Sequence, residues 1–293
     1  MRNNEERTGA LHQDAPAPAL PASSADMNQH GSSMHFVTPT EFVELPSRGL
    51  FYSEAHPLHG EKNIEIKFMT AKEEDILTSK TLIKQGIIID RLLKSLILNT
   101  KIDPKSLLSG DRNAILVAAR VSGYGPEYNV SLSCPVCAST ERPSFNLENS
   151  TLTGASVDEE FLNKADVSFN KEKNTFSFTL PKTKAEVEVR LMDGKDESKL
   201  ASNQEMKRKN KLPETLMTDL MKAYIVSVNG DKNITSIRTF IETMPVIDAR
   251  ELRNVYSKIT PNIDLTQHFG CSSCGHEQDM EVPFTAEFFW PRQ

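Results

Sequence analysis

The chain has 293 residues and a mass of 32.8 kDa, with 38% hydrophobic and 25% charged residues. That composition supports a buried core and about two domains, and it is too polar for a membrane-embedded fold. The net charge of −6 and the pI near 5.7 argue against a nucleic-acid partner, since such binders usually present a basic face.

No apolar run reaches the roughly 18–20 residues that span a bilayer. Met1-Arg2-Asn3-Asn4-Glu5-Glu6-Arg7 leads into no apolar stretch of signal-peptide length, so no secretory signal is expected. Residues 1–35 are rich in Ala, Pro, Ser, Asn and Gln and include Ala15-Pro16-Ala17-Pro18-Ala19-Leu20-Pro21. Such a stretch buries too little apolar surface to offset the entropy of ordering it. It reads as a disordered N-terminal arm or as an extended arm that orders on a partner.

Structure is expected from Phe36 onward. Leu45 to Tyr52 reads as a loop with buried anchors, punctuated by Pro46 and Gly49. Ile64, Ile66 and Phe68 alternate with Glu65 and Lys67, the pattern of a half-buried strand. Thr70 and Glu73 have the spacing of a capping box at a helix start. Gly86 is expected to interrupt that helix, and Ile87 to Leu98 to form a second, strongly apolar one. Asp111 to Val121 is a third, stopped by Gly123 and Gly125. Glu127 to Ser133 reads as a strand leading into the first cysteine pair. Thr175–Leu180 and Ala185–Met192 alternate polar and apolar residues, and Pro181-Lys182-Thr183-Lys184 joins them as a hairpin.

Pro213 suits the first position of a helix, with Leu216, Leu220, Tyr224 and Val228 following at helical spacing and Asn229-Gly230 as its stop. Ile234 to Thr243 is the next helix. Asp248 and Glu251 resemble a cap ahead of Leu252, Val255, Tyr256 and Ile259, and Pro261 closes that run. Asp279 to Phe284 is the last strand. The fold class expected is therefore α+β, with helical N-terminal and C-terminal regions around small antiparallel sheets. The chain divides into an arm (1–35), an α+β region ending in the first cysteine pair (36–145), a hairpin-containing insert (146–195), and a helical region with the second pair and an aromatic end (196–293).

The most informative residues are Cys134-Pro135-Val136-Cys137 and Cys271-Ser272-Ser273-Cys274-Gly275. Two residues between cysteines let one tight turn offer two thiolates to one ion. Two such turns complete a tetrahedral four-cysteine zinc site, which has no open position and is therefore structural. Residues 138–270, 133 in all, separate the pairs, far more than the roughly 15–20 of a compact zinc ribbon. A ribbon interrupted by an inserted domain accounts for that distance. The competing readings are free thiols on surface turns and redox pairs. His276, two residues past Cys274, is either a substitute ligand or a neighbour of the ligands. Disulfides are disfavoured in a reducing compartment.

No catalytic motif appears: there is no G-x-S-x-G, H-E-x-x-H or P-loop. His56 and His59 flank Pro57 without metal-ligand partners at matching spacing. Glu73-Glu74-Asp75 suits the dipole of a helix start. Lys207-Arg208-Lys209-Asn210-Lys211 is expected in a solvated connection, with phosphate contact as the alternative. Phe288-Phe289-Trp290-Pro291 is costly to leave in water and should dock on the core or on a neighbour.

Several motifs occur in a fixed order. They are Leu45-Pro46-Ser47-Arg48-Gly49-x-Phe51-Tyr52, Met69-Thr70-x-x-Glu73-Glu74-Asp75-Ile76-Leu77, Gly110-Asp111-Arg112-Asn113, Ser122-x-Tyr124-Gly125-Pro126-x-Tyr128, Cys134-Pro135-x-Cys137, Phe240-Ile241-Glu242-x-Met244-Pro245, Asp248-x-Arg250-x-Leu252-Arg253, Cys271-x-x-Cys274-Gly275, Val282-Pro283-Phe284 and the aromatic end. Over roughly residues 40–291 this order resembles the T-even-type bacteriophage baseplate hub subunit family. The resemblance implies a non-enzymatic role in the baseplate of a contractile tail, as a virion structural protein or a tail assembly factor. It also implies other baseplate and hub proteins as partners, and an oligomeric place in a symmetric tail assembly. Membrane and nucleic acid are not expected partners. The implied location is the host cytoplasm during assembly and then the virion tail. A zinc-ribbon nucleic-acid-binding module is the alternative reading.

Overall fold

The computed structural model describes residues 38–154, 166–282 and 288–289; the expected arm at 1–35, together with Trp290 and Pro291, lies outside them. The chain opens with an antiparallel pair, β1 (Thr40–Glu44) and β2 (Asn63–Lys67), in which Ile64 and Ile66 turn inward. Helices α1 (Ala71–Thr78), α2 (Lys80–Gln85) and α3 (Ile88–Leu96) follow. Gly86 ends α2 in the left-handed region, as its missing Cβ allows. An extended Ser79 breaks the run one segment earlier than the sequence indicates. A 3-10 turn at Pro104–Ser106 leads to α4 (Ser109–Tyr124), the central helix of the core.

Short strands come next: β3 (Glu127–Asn129), β4 (Leu132–Ser133), β5 (Thr140–Glu141), β6 (Ser144–Asn146), β7 (Thr151–Thr153), β8 (Ser168–Asn170), β9 (Thr175–Thr179) and β10 (Glu186–Arg190). Helices α5 (Gly194–Lys209) and α6 (Leu216–Tyr224) precede β11 (Ile225–Val228). Helices α7 (Ile234–Thr243) and α8 (Val246–Ile259) precede β12 (Asn262–Asp264), β13 (Thr266–Gly270) and β14 (Glu277–Glu281). The largest sheet is antiparallel, in the order β11-β10-β9-β8; the other pairings are β12–β7, β13–β14, β3–β6 and β4–β5. The architecture is thus α+β, helices around small antiparallel sheets.

One apolar core runs from Val43 to Phe289 through α3, α4, the four-stranded sheet and α8. Small residues on α4 permit close approach. A Cβ added at Gly110 would fall 1.8 Å from the carbonyl oxygen of Pro261, so only glycine fits where α4 meets the chain entering β12. Phe288 and Phe289 bury in this core, Phe288 edge-to-face against Tyr128. The described part of the aromatic end therefore docks on its own chain.

Four local readings are corrected. Pro213 does not open a helix; α6 begins at Leu216. Val228 is not helical, because Ile225-Val226-Ser227-Val228 leaves α6 and pairs with β10, where branched side chains fit the pleat. The basic run is no connection: Lys207, Arg208 and Lys209 form the last turn of α5, where cations suit the helix dipole. That helix has no apolar stripe to reveal it. Its start is fixed by the Asp193 carboxylate, which accepts from the amides of Lys195 (2.9 Å) and Asp196 (3.1 Å). Finally, Asp248 does not cap α8, which starts at Val246. Its buried carboxylate accepts from the amides of Lys182 (2.7 Å) and Thr183 (2.8 Å) and so clamps the β9–β10 turn.

The motif residues in loops and helix starts hold buried polar networks. Asp111, on α4, accepts from the amide and hydroxyl of Ser47 and from the Tyr52 hydroxyl, which in turn accepts from the Leu108 amide. Burial raises the Asp111 carboxyl and, with the nearby Asp111 charge, raises the Tyr52 phenol well above its ordinary range. Arg112 donates to the Pro104 carbonyl and pairs with Asp90 (2.9 Å) and Glu197 (3.1 Å), tying α4 to α3 and α5.

The capping box at α1 forms. Glu73 is wholly buried and accepts from the Thr70 amide (3.0 Å) and hydroxyl (2.6 Å), from Ser95 and from Lys67 (2.7 Å). Burial alone would raise its carboxyl, but the bonds from Lys67, Ser95 and Thr70 outweigh it and hold the group down to about 2. A carboxyl depressed in the folded state stabilises above its unfolded pKa and loses that contribution as pH falls through the folded one. The shift corresponds to about 3 kcal/mol. Glu73→Gln is therefore expected to be less stable than wild type at neutral pH. The gap should close between about pH 5 and 2; a urea-unfolding series across that range checks it.

Candidate metal centre

Two hairpins carry the cysteines at their tips. The first joins β4 to β5 through residues 134–139, and the second joins β13 to β14 through residues 271–276. Their backbones repeat each other. The Ala138 amide donates to the Cys134 carbonyl (2.9 Å), and the Gly275 amide to the Cys271 carbonyl (3.0 Å). Cys134 donates back to Ser139 (2.9 Å), and Cys271 to His276 (2.8 Å). Ala138 and Gly275 both adopt the left-handed region, at φ 57° and 69°. Glycine takes that conformation without strain, and the alanine holds it in the matching turn.

The fold brings both tips together. All four sulfurs lie within 4.8 Å of one another, with Cys134 to Cys274 at 3.7 Å and Cys137 to Cys271 at 3.6 Å. These separations exclude disulfides, whose sulfurs sit about 2.05 Å apart. They match the edge of about 3.8 Å that a tetrahedron of sulfurs has around zinc at about 2.3 Å. The first cysteine of each pair is buried and the second is exposed. Donor type, number and spacing all fit a four-thiolate zinc ion.

The surroundings also bear on the sulfurs. The Ser139 hydroxyl lies 3.0 Å from the Cys137 sulfur and 3.3 Å from that of Cys271. That contact is the main cause drawing the Cys137 thiol down to about 6. At Cys274 the His276 amide pulls downward, yet the neighbouring cysteines push the thiol up to about 12. Four thiols this close together resist joint ionisation, and a bound cation would relieve that repulsion. Glu141 accepts from Ser272 (2.9 Å) and Ser273 (3.2 Å), and its carboxyl lies below its ordinary range, chiefly through the Ser272 bond. Beneath the tips, among the described residues, Cys134, Phe269 and Cys271 form a small apolar cluster, with Leu132 and Met280 against it.

Ser139 and Glu141 carry no pattern that distinguishes them in the sequence, although both lie within four residues of Cys137. His276 contributes its backbone carbonyl to the second turn, while its Nε2 faces Gln278 at 3.3 Å. Among the described residues, His56 and His59 hold loop backbone and side chains in place. His56 Nδ1 accepts from the Leu58 amide, which leaves Nε2 to donate to Ser106 Oγ at 2.8 Å, and Ser106 donates to the Asp103 carbonyl. That proton order is the reverse of a nucleophile–base pair. His59 Nδ1 bonds the Tyr52 carbonyl. Among the described residues, no helix is long and apolar enough to cross a membrane.

No curated protein and no solved structure matches the chain. Residues 51–290 match the family described as T4 bacteriophage base plate protein. The match runs from the anchored loop past both cysteine hairpins to the aromatic end, and on it the chain belongs to the T4-type baseplate protein family.

Proposed function

We propose that this chain is a non-enzymatic component or assembly factor of the hub region of a contractile-tail baseplate, stapled by one structural zinc on Cys134, Cys137, Cys271 and Cys274. The family match carries the baseplate part of the reading. The spacing of the four sulfurs supports the zinc. A four-cysteine site has no open position for water or substrate, so the ion supplies rigidity and not catalysis. In this reading the pairs at either end of a long intervening stretch close one ribbon, and residues 146–195 are an insert within it. The partners are other baseplate and hub proteins in a symmetric assembly, met in the host cytoplasm and retained in the tail. The nucleic-acid alternative is not favoured: Lys207 pairs with Asp219, Lys209 pairs with Glu205, and the run ends a helix.

Quantitative mass spectrometry of purified virions beside assembly intermediates tests the role. A fixed whole-number copy count in virions is expected for a structural subunit. Presence only in intermediates identifies an assembly factor, and absence from both overturns the reading.

A further inference from the structure

A groove of about 350 Å³ opens between β1, α4, β7 and β12. Ala114, Val117 and Ala118 of α4 form its floor, small side chains that leave room for larger ones. Leu152 and Ile263 form a wall. Its charged lining is entirely acidic: Glu41, Glu44 and Glu148. Glu41 Oε1 is buried yet has no hydrogen-bond partner among the described residues. Buried carboxylate oxygens are almost always satisfied, so an orphan in a groove marks a missing donor. Arg48 pairs with Glu44 at 3.6 Å, and its Nε is likewise buried without a hydrogen-bond partner among the described residues.

The geometry points to this groove as the docking site for a basic amphipathic segment of a neighbouring baseplate protein. Its apolar side chains would face the α4 floor, and a lysine or arginine would meet Glu41. Charge complementarity selects this occupant. Residues 1–37 of the chain carry four carboxylates against two arginines and do not complement an acidic rim. The source of the segment rests on the baseplate reading; the chemistry of the groove does not.

The test uses the full chain and two short synthetic peptides. They share one leucine and alanine pattern and differ only in having lysine or glutamate at the polar positions. Fluorescence anisotropy is expected to show saturable binding of the lysine peptide alone. Glu41→Gln and Glu148→Lys should each weaken it about tenfold. Ala118→Trp, which fills the groove, should abolish it with an unchanged circular dichroism spectrum. Equal binding of both peptides, or lysine-peptide binding indifferent to all three substitutions, overturns the site. A photocrosslinker at position 118 in assembled baseplates then identifies the occupant. A captured segment with lysine or arginine beside apolar residues supports the proposal, and crosslinking to residues 1–37 of the same chain overturns it. Failure of the peptide arm leaves the baseplate role standing, because that role is read from virion copy number.

Discussion

Cys134→Ser and Cys271→Ser are expected to abolish stoichiometric zinc and to lower stability by on the order of 5 kcal/mol. Structural zinc contributes about 10–16 kcal/mol of binding free energy in zinc-finger peptides, part of which orders the ligands. Here the apolar cluster under the turns has three buried members, two of them the cysteines Cys134 and Cys271. Little apolar burial therefore remains to hold the tips together without the ion. Leu132 and Met280 pack against both this cluster and the main core, so the loss should be largest at the tips and reach the core through these two side chains. Hydrogen exchange should rise most over residues 132–141 and 266–281. Metal content per chain by elemental mass spectrometry is the direct check. One zinc per wild-type chain and none in the variants is expected; zinc retained at full stoichiometry in both variants would show that the cysteines are not its ligands. Ser139→Ala, which removes the hydroxyl shared by Cys137 and Cys271, should cost about tenfold in zinc affinity.

Arg120→Met is the second substitution with a large expected effect, about 4 kcal/mol. Arg120 is 1% exposed. Its guanidinium donates to the carbonyls of Phe288 (2.6 Å), Gly125 (2.7 Å) and Glu127 (3.0 Å). The buried Phe288 carbonyl left without a donor costs roughly 1–3 kcal/mol, the part-buried Gly125 and Glu127 carbonyls cost less because water reaches them, and methionine fills most of the volume without restoring any bond. Burial works against the charge and lowers the pKa of Arg120. The favourable term is thus the fork of three directed bonds. Arg120→Lys keeps the charge but not the planar fork, and should lose about 2 kcal/mol. Urea unfolding reads both values. Carboxypeptidase should also trim the methionine variant faster than wild type, because Arg120 holds the backbone at Phe288. Equal stability and equal trimming would remove Arg120 from that role.

The sequence alone determined features whose cause is local or periodic. Alternation of apolar and polar residues marked β2 and the β9–β10 hairpin, since a strand with one buried face has period two. The capping box at Thr70 and Glu73, the left-handed stop at Gly86 and the helix at Ile234–Thr243 were legible because caps and helical spacing act within a few residues. Cysteine spacing marked two equivalent turns, and the order of motifs indicated the baseplate family. Tertiary structure decided what depends on distant partners. Helix α5 has no apolar stripe and stands on a cap and ion pairs to other elements. Ile225–Val228 is extended because β10 offers it a pairing edge. Asp248 faces two amides 65 and 66 residues away instead of capping its own helix. Arg120 meets a carbonyl 168 residues away. The matching spacing of the two cysteine pairs already suggested one shared site, but the approach of the four sulfurs to within 4.8 Å follows from the packing of two hairpins that the chain places far apart. Local propensity acts within a few residues, whereas the pairing of buried polar groups is set by whatever the folded chain brings beside them.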